Sequence, residues 1–357
     1  MKTRWLLIGA VTMLMATALF SQHPVSLQDV MSLKSPGAVA LSPDGQWALY
    51  TVRGWTPEPG DQKKPVKEEA RTHVWLVSAI APSGAGAPRQ ITFGEKGESA
   101  PAWSPDGKYI SFIANRPDPD DPAAKPSGQI YVMRADGGEA HAVTAGEGGA
   151  SAYSWSPDSQ QIAFLRVKPL SEAAQAAEKR GDDVAEYEGD FRLARLWAVA
   201  LTTGKETDLT PSADFTLKGA PAWSPDGRQL VFAAAPTTLI RDNRTNLYLL
   251  TLATRQLHPL THGLSASSSP AWSPDGRSIA YVFDPDAHKA LGDGIPFQDS
   301  QQSHLMLLDV ASGQSRDLSS PAFDLYAGSP IWSPDSRQIR FTTGDQVWQD
   351  VFSYDLA

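Results

Sequence analysis

A five-residue turn that returns six times constrains this chain more than any other feature. It reads Leu41-Ser42-Pro43-Asp44-Gly45, Trp103-Ser104-Pro105-Asp106-Gly107, Trp155-Ser156-Pro157-Asp158-Ser159, Trp223-Ser224-Pro225-Asp226-Gly227, Trp272-Ser273-Pro274-Asp275-Gly276 and Trp332-Ser333-Pro334-Asp335-Ser336. Proline presets φ at the second position of a tight turn, Asp bonds to nearby backbone, and Gly supplies a positive φ that a side chain opposes. Behind every copy stands a short apolar or alternating run: Trp47 to Val52, Tyr109 to Ile113, Ile162 to Leu165, Leu230 to Ala233, Ile279 to Phe283 and Ile339 to Phe341. Such runs, placed after a turn, read as strands. A turn and strand recurring every roughly 50–70 residues mark a repeat architecture.

The second repeat shows the whole unit. Ala100 to Ser104, Tyr109 to Ala114, Gln129 to Arg134 and Ala140 to Thr144 predict four strands in a meander, with Asp136-Gly137-Gly138 turning into the last. That is one propeller blade. Third strands follow at Val74 to Val77, Leu196 to Leu201, Leu247 to Leu252 and Leu305 to Val310, and fourth strands end near Thr92, Thr144, Thr210, Thr261 and Ser319. The expected fold is therefore all-β: a β-propeller of four-stranded antiparallel blades over 38–357, five complete and a sixth incomplete. The blades span approximately 38–95, 99–146, 151–211, 218–262, 268–320 and 328–357. In the sixth, Ile331 to Ser333, Gln338 to Thr342 and Val351 to Leu356 supply three strands. Either the N-terminal segment supplies the missing strand or the chain is a piece of a longer polypeptide, and the second is the expectation, because a terminus inside a blade leaves an unpaired edge. Extra length gathers between second and third strands, at Gly54 to Thr72, Arg116 to Gly128, Lys168 to Ala194 and Asp284 to Ser303. These connections leave a meander at the end opposite the Ser-Pro-Asp-Gly turns. Insertions gathered on one face often mark the binding face. In the longest, Ser171 caps an expected helix from Glu172 to Arg180, and an acidic arm follows from Asp182 to Asp190.

The start of the chain is separate. Lys2 and Arg4 precede an apolar run from Trp5 to Phe20, with Ala16-Thr17-Ala18 as a small-x-small site, so 1–21 reads as a signal peptide. The run is short for the ~20 residues of a membrane span, which disfavours an uncleaved anchor. Residues 22–37 form a lead-in with a short helix begun at Ser26. The absence of cysteine excludes disulfides, thiolate metal sites and a cysteine nucleophile. An exported, cysteine-free protein fits a bacterial periplasm or secretion. The net charge of −9, more negative still without Lys2 and Arg4, argues against nucleic acid and anionic membranes.

No catalytic residue is visible. A strained nucleophile elbow needs Gly-x-Ser-x-Gly. Gly97-Glu98-Ser99-Ala100-Pro101, Gly149-Ala150-Ser151-Ala152-Tyr153, Gly263-Leu264-Ser265-Ala266-Ser267 and Gly313-Gln314-Ser315-Arg316-Asp317 all lack the second glycine. His258 and His262 flank a strand and point to different places, and no metal or cofactor motif is present. Asp44, Asp106, Asp158, Asp226, Asp275 and Asp335 are read as turn stabilisers, and the repeated tryptophans as packing between blades. Asn243-Arg244-Thr245 spells a glycosylation acceptor that a periplasmic protein leaves unused.

Together, the repeated Trp-Ser-Pro-Asp-Gly blades behind a signal peptide resemble the N-terminal β-propeller of the prolyl oligopeptidase family of serine peptidases, in its dipeptidyl-peptidase and acylaminoacyl-peptidase branches. The lead-in Ser26 to Lys34 is similar to that family's, and so is Gly181-Asp182-Asp183-Val184 through Asp190-Phe191-Arg192-Leu193-Ala194-Arg195-Leu196-Trp197. The resemblance covers essentially all of the mature chain but only the family's first domain. It implies a C-terminal α/β-hydrolase partner domain holding the Ser-Asp-His triad, and short peptide substrates gated by the propeller. It also implies substrate-binding carboxylates for a free amino group, with Glu186 and Glu188 as candidates by location. The same turn occurs in TolB, a periplasmic protein-binding propeller, which leaves a stand-alone binding protein as the alternative.

Overall fold

The computed structural model describes residues 26–57, 68–80, 86–117, 127–169, 171, 174–176, 180–181, 192–238, 244–263, 266–284, 303–319, 329–345 and 348–356. The expected signal peptide lies outside them. Helix α1 (Leu27–Ser32) starts with a capping box in which Asp29 N–H donates to the Ser26 hydroxyl and Ser26 N–H donates to the Asp29 carboxylate at 2.8 Å.

Apart from helical residues 174–176, everything else regular among the described residues is strand. Blade one holds β1 (Ser35–Leu41), β2 (Trp47–Pro57), β3 (Glu68–Ser78) and β4 (Arg89–Gln90); blade two holds β5 (Glu98–Trp103), β6 (Tyr109–Ala114), β7 (Gln129–Arg134) and β8 (His141–Ala142). Blade three follows with β9 (Tyr153–Trp155), β10 (Gln161–Val167), β11 (Ala194–Ala200) and β12 (Glu206–Asp208), and blade four with β13 (Thr216–Trp223), β14 (Gln229–Ala235), β15 (Asn246–Thr251) and β16 (Gln256–Pro259). Blade five has β17 (Ala266–Trp272), β18 (Ser278–Asp284), β19 (His304–Asp309) and β20 (Ser315–Asp317); blade six has β21 (Ile331–Trp332), β22 (Gln338–Asp345) and β23 (Trp348–Asp355). Each sheet is a meander in chain order, five of four strands and one of three among the described residues. The architecture is the expected β-propeller.

Several boundaries differ from the sequence reading: β2 runs to Pro57 and β3 starts at Glu68, so both ends of the expected Gly54 to Thr72 connection are paired strand, and β5, β13 and β17 begin at Glu98, Thr216 and Ala266, ahead of the expected blade starts. β1 begins at Ser35, inside the expected lead-in, and pairs Ser35 with Arg53. The fourth strands stop two residues short of Thr92, Thr144, Thr210, Thr261 and Ser319. At each of these positions a side-chain hydroxyl replaces the ladder, accepting the N–H of Val74, Ile130, Leu196, Leu247 and Leu305 at 2.7–3.0 Å. A buried amide is thereby satisfied where the strand has ended.

The core lies between the blades. Five buried clusters each join consecutive sheets: Leu49 and Val74 with Ile110 and Phe112, Ile130 and Val132 with Ile162 and Phe164, Leu196 with Leu230 and Phe232, Leu247 with Ile279, and Leu305 with Ile339. The second strands of blades two to five are therefore buried on both faces, which explains the unbroken apolar runs Ile162 to Leu165 and Leu230 to Ala235. Inner first strands are more open, and β1 leaves Val39 and Leu41 at 68% and 63% exposure. The inner strands of blades one, two, four and five slip register before the turn, between Pro36 and Val39, Ser99 and Ala102, Lys218 and Ala222, and Ser268 and Ala271. Bulges of this kind bend and twist the strand.

The repeated turns have one hydrogen-bond pattern. In each, the Ser hydroxyl donates to the Asp carboxylate at 2.5–2.7 Å. The same hydroxyl accepts the N–H five residues on at 2.8–2.9 Å, which opens the second strand. The carboxylate accepts the N–H two residues on at 3.0–3.1 Å. All six aspartates are thus consumed by their turns. The tryptophans reach across blades: the indole N–H of Trp103, Trp223 and Trp332 donates to Ala40, Ser154 and Ala271, each the residue before the motif of the preceding blade. Trp155 donates instead to the Ser111 hydroxyl at 2.8 Å, which also bonds Tyr153.

Candidate functional site

Two ends of the ring differ in chemistry. One is tiled by the Ser-Pro-Asp turns. From the other leave the second-to-third connections and the fourth-to-first crossings, and there Glu98, Arg116, Arg166 and His304 stand.

Between blades one and two, the buried Glu98 at the start of β5 accepts from the Thr92 hydroxyl at 2.7 Å and from Gly94 N–H at 2.7 Å, and lies 2.9 Å from His73 Nδ1. Arg116, just past β6, approaches it at 3.5 Å. A Cβ on Gly94 would collide with Glu98 Oε1, so a larger residue there would push this carboxylate from its bonds. Between blades two and three, Arg166 on β10 makes a two-pronged pair with Glu206, at 2.5 and 3.0 Å, and donates to the Ala145 carbonyl at 2.7 Å. In blade five His304 Nδ1 sits 2.6 Å from Asp317, with Phe283 edge-on to its ring. The first two groups pin crossings to blades, and the third joins β19 to β20. Each carboxylate is occupied by neighbours, and the described residues hold no group of three or more metal-ligating side chains.

The longest connection is clasped at its root: Lys168 N–H donates to the Leu193 carbonyl and Arg192 Nε to the Lys168 carbonyl, at 3.0 and 3.3 Å. The Ser171 hydroxyl accepts Ala174 N–H, and residues 174–176 are helical. Gly181 takes φ +70°. Glu186 and Glu188 lie outside the described residues. The serines tested as nucleophiles have structural surroundings, Ser315 accepting the Tyr281 hydroxyl at 3.1 Å and Ser151 donating to the Leu165 carbonyl. Ser265 lies outside the described residues. His258 stands on exposed β16 opposite Leu249, and His262 lies beyond the strand.

The sequence reading missed a recurring cation on an aromatic pair. Second and third strands place Phe112 beside Tyr131 and Phe164 beside Trp197, and the guanidinium carbons of Arg116 and Arg166 stand 4.6 Å and 4.8 Å from the Tyr131 and Trp197 rings. In blade one Tyr50 faces Trp75, with Lys34 over the indole at 5.6 Å. Blade four fills the same place with Phe215, 4.9 Å from Tyr248. The aromatic register in the strands was visible, but a cation two to four residues further on was not tied to it.

Sheets stacked face to face around their inner strands, with one turn end and one loop end, define a β-propeller of TolB-like repeats. Residues 190–289 match the family model of the TolB beta propeller domain. In sequence the chain is a relative of bacterial peptidases. It is 27% identical over 366 residues to dipeptidyl-peptidase 5 of Porphyromonas gingivalis, covering 94% of this chain and 48% of that protein. It is 29% identical over 225 residues to the uncharacterized peptidase YuxL of Bacillus subtilis, covering 59% of this chain and 31% of the relative. The acylaminoacyl peptidase of Pyrococcus horikoshii superposes with a TM-score of 0.58 at 13% identity, over 91% of this chain and 45% of that one, which shows the shared fold. The chain spans less than half the length of these relatives. No helix among the described residues is long and apolar enough to cross a membrane.

Proposed function

We propose that this propeller is the non-catalytic, substrate-gating part of an exported serine peptidase of the prolyl-oligopeptidase type. In this reading an α/β-hydrolase domain, encoded beyond residue 357, supplies the nucleophile, and the loop end of the ring admits short peptides. The observation that supports it most is the span of the match: nearly all of this chain corresponds to about half of a dipeptidyl peptidase. Among the described residues the turn aspartates and the crossing carboxylates Glu98 and Glu206 are bonded by their neighbours, and in this reading the propeller sorts ligands while the second domain transforms them. Glu186 and Glu188, on the blade-three connection, then receive the substrate's ammonium group.

The test has two parts. The reading frame downstream of Ala357 is expected to reach a Gly-x-Ser-x-Gly elbow, and the chain of 357 residues is expected to leave dipeptidyl and acylaminoacyl chromogenic substrates intact. Hydrolysis by this chain alone, blocked by a serine-directed inhibitor, overturns the proposal. The match to the TolB propeller favours a second reading, a protein-binding propeller working alone in the periplasm. A stop codon after Ala357 selects it.

A further inference from the structure

Two slots between blades hold an arginine on an aromatic pair, and one of the two lacks a carboxylate on the outer strand. In the slot between blades two and three, Arg166 lies on the Phe164–Trp197 pair and Glu206 supplies its carboxylate. In the slot between blades one and two, Arg116 lies on Phe112–Tyr131. Register identifies the counterpart of Glu206. Trp197 pairs with Asp208 and Tyr131 with Ala142, so two residues earlier on the outer strand Glu206 corresponds to Ala140. A methyl group stands where the neighbouring slot has a carboxylate.

Ala140 lines a cleft of about 740 Å³, in the ordinary range for small-ligand sites. Phe112, Met133, Ile91 and Ala140 give it apolar walls, and Phe93 stands at its side, 74% exposed. Arg116 lines it, and among the described residues its one hydrogen bond is the 3.5 Å approach to Glu98, a carboxylate already taken by Thr92, Gly94 and His73. Arg166, by contrast, has three bonds from its two terminal nitrogens. Lys96, Glu95 and Glu139 also line the cleft.

We propose that this cleft binds an apolar monocarboxylate, whose carboxylate takes the place on Arg116 that Glu206 takes on Arg166. Planar guanidinium recognises carboxylate with two parallel bonds, and that of Arg116 packs over the Tyr131 ring at 4.6 Å. The apolar body of the ligand covers Met133 and Phe112. Free acids and the C-terminal residue of a peptide share this chemistry. The site does not depend on the peptidase reading.

The test is calorimetry on the full chain with N-acetylphenylalanine, its amide, and 3-phenylpropionate. Both acids are expected to bind, and the amide at least tenfold more weakly; binding of N-acetylphenylalanine alone assigns the site to peptide termini, and preference for 3-phenylpropionate to free acids. Ala140→Glu rebuilds the missing carboxylate, so it is expected to abolish acid binding while raising the unfolding midpoint. Arg116→Gln is expected to erase the difference between acid and amide, and Glu139→Gln, which removes a competing negative charge, to tighten acid binding. Absence of binding at millimolar acid, equal affinity for acid and amide, or unchanged affinity in Ala140→Glu overturns the proposal.

Discussion

Ser159 stands at a backbone position that rejects side chains, and its replacement separates two opposing energies. Glycine occupies this turn position in four of the six copies, with φ between +69° and +72°, while Ser159 and Ser336 adopt φ of +59° and +61°. A side chain there costs about 1 kcal/mol relative to glycine. The structure shows what offsets it: the Ser159 hydroxyl, in a residue only 4% exposed, accepts Asp106 N–H from the turn of the preceding blade at 3.1 Å. Ser336 does the same for Asp275. A hydrogen bond of this kind contributes about 1 kcal/mol net. Ser159→Gly therefore loses the bond and the strain together and is expected to change stability by less than about 0.5 kcal/mol. Ser159→Ala keeps the strain and loses the bond, so it is expected to cost about 1 kcal/mol. Urea unfolding of the two variants beside the parent chain reads the difference directly. Alanine as stable as glycine at 159 would refute the strain assignment, and both variants matching the parent would refute the bond.

The turns also set an acid limit. Asp44, Asp226 and Asp335 are held below the usual carboxylate range by the hydroxyl of the motif serine and then by the amide two residues on. A lowered carboxyl contributes stability that is complete above its unfolded value, about 3.9, and is lost as pH falls through the folded value. Unfolding is therefore expected to set in below about pH 4, and Ser333→Ala to shift the titration of Asp335 upward by NMR; an unmoved Asp335 refutes the assignment. Thr210→Val keeps the shape at the end of β12 but strands the Leu196 amide, and is expected to cost about 1–3 kcal/mol in urea unfolding. A cost near zero would mean that water reaches that amide.

The blade grammar was legible because it is local. A Ser-Pro-Asp-Gly turn is made by four neighbouring residues, and the strand behind it by its own apolar run, so strand order and blade content followed from residues close together in the chain. The roles of the six aspartates followed for the same reason. The signature tryptophans were readable as interblade packing, but their carbonyl partners, some sixty residues away, were not.

The sequence by itself determined that the chain folds as repeated four-stranded meanders with turns at one end and connections at the other. Only the tertiary structure decided how those units meet: which inner strands bulge, which hydroxyls finish the outer strands, and which arginine finds a carboxylate. Ala140 carries no signal in the sequence, and its meaning appears only when strand register sets it against Glu206. Turns answer to their own backbone torsions, whereas a slot between blades is lined by side chains from both, and its vacancy or completion belongs to neither alone.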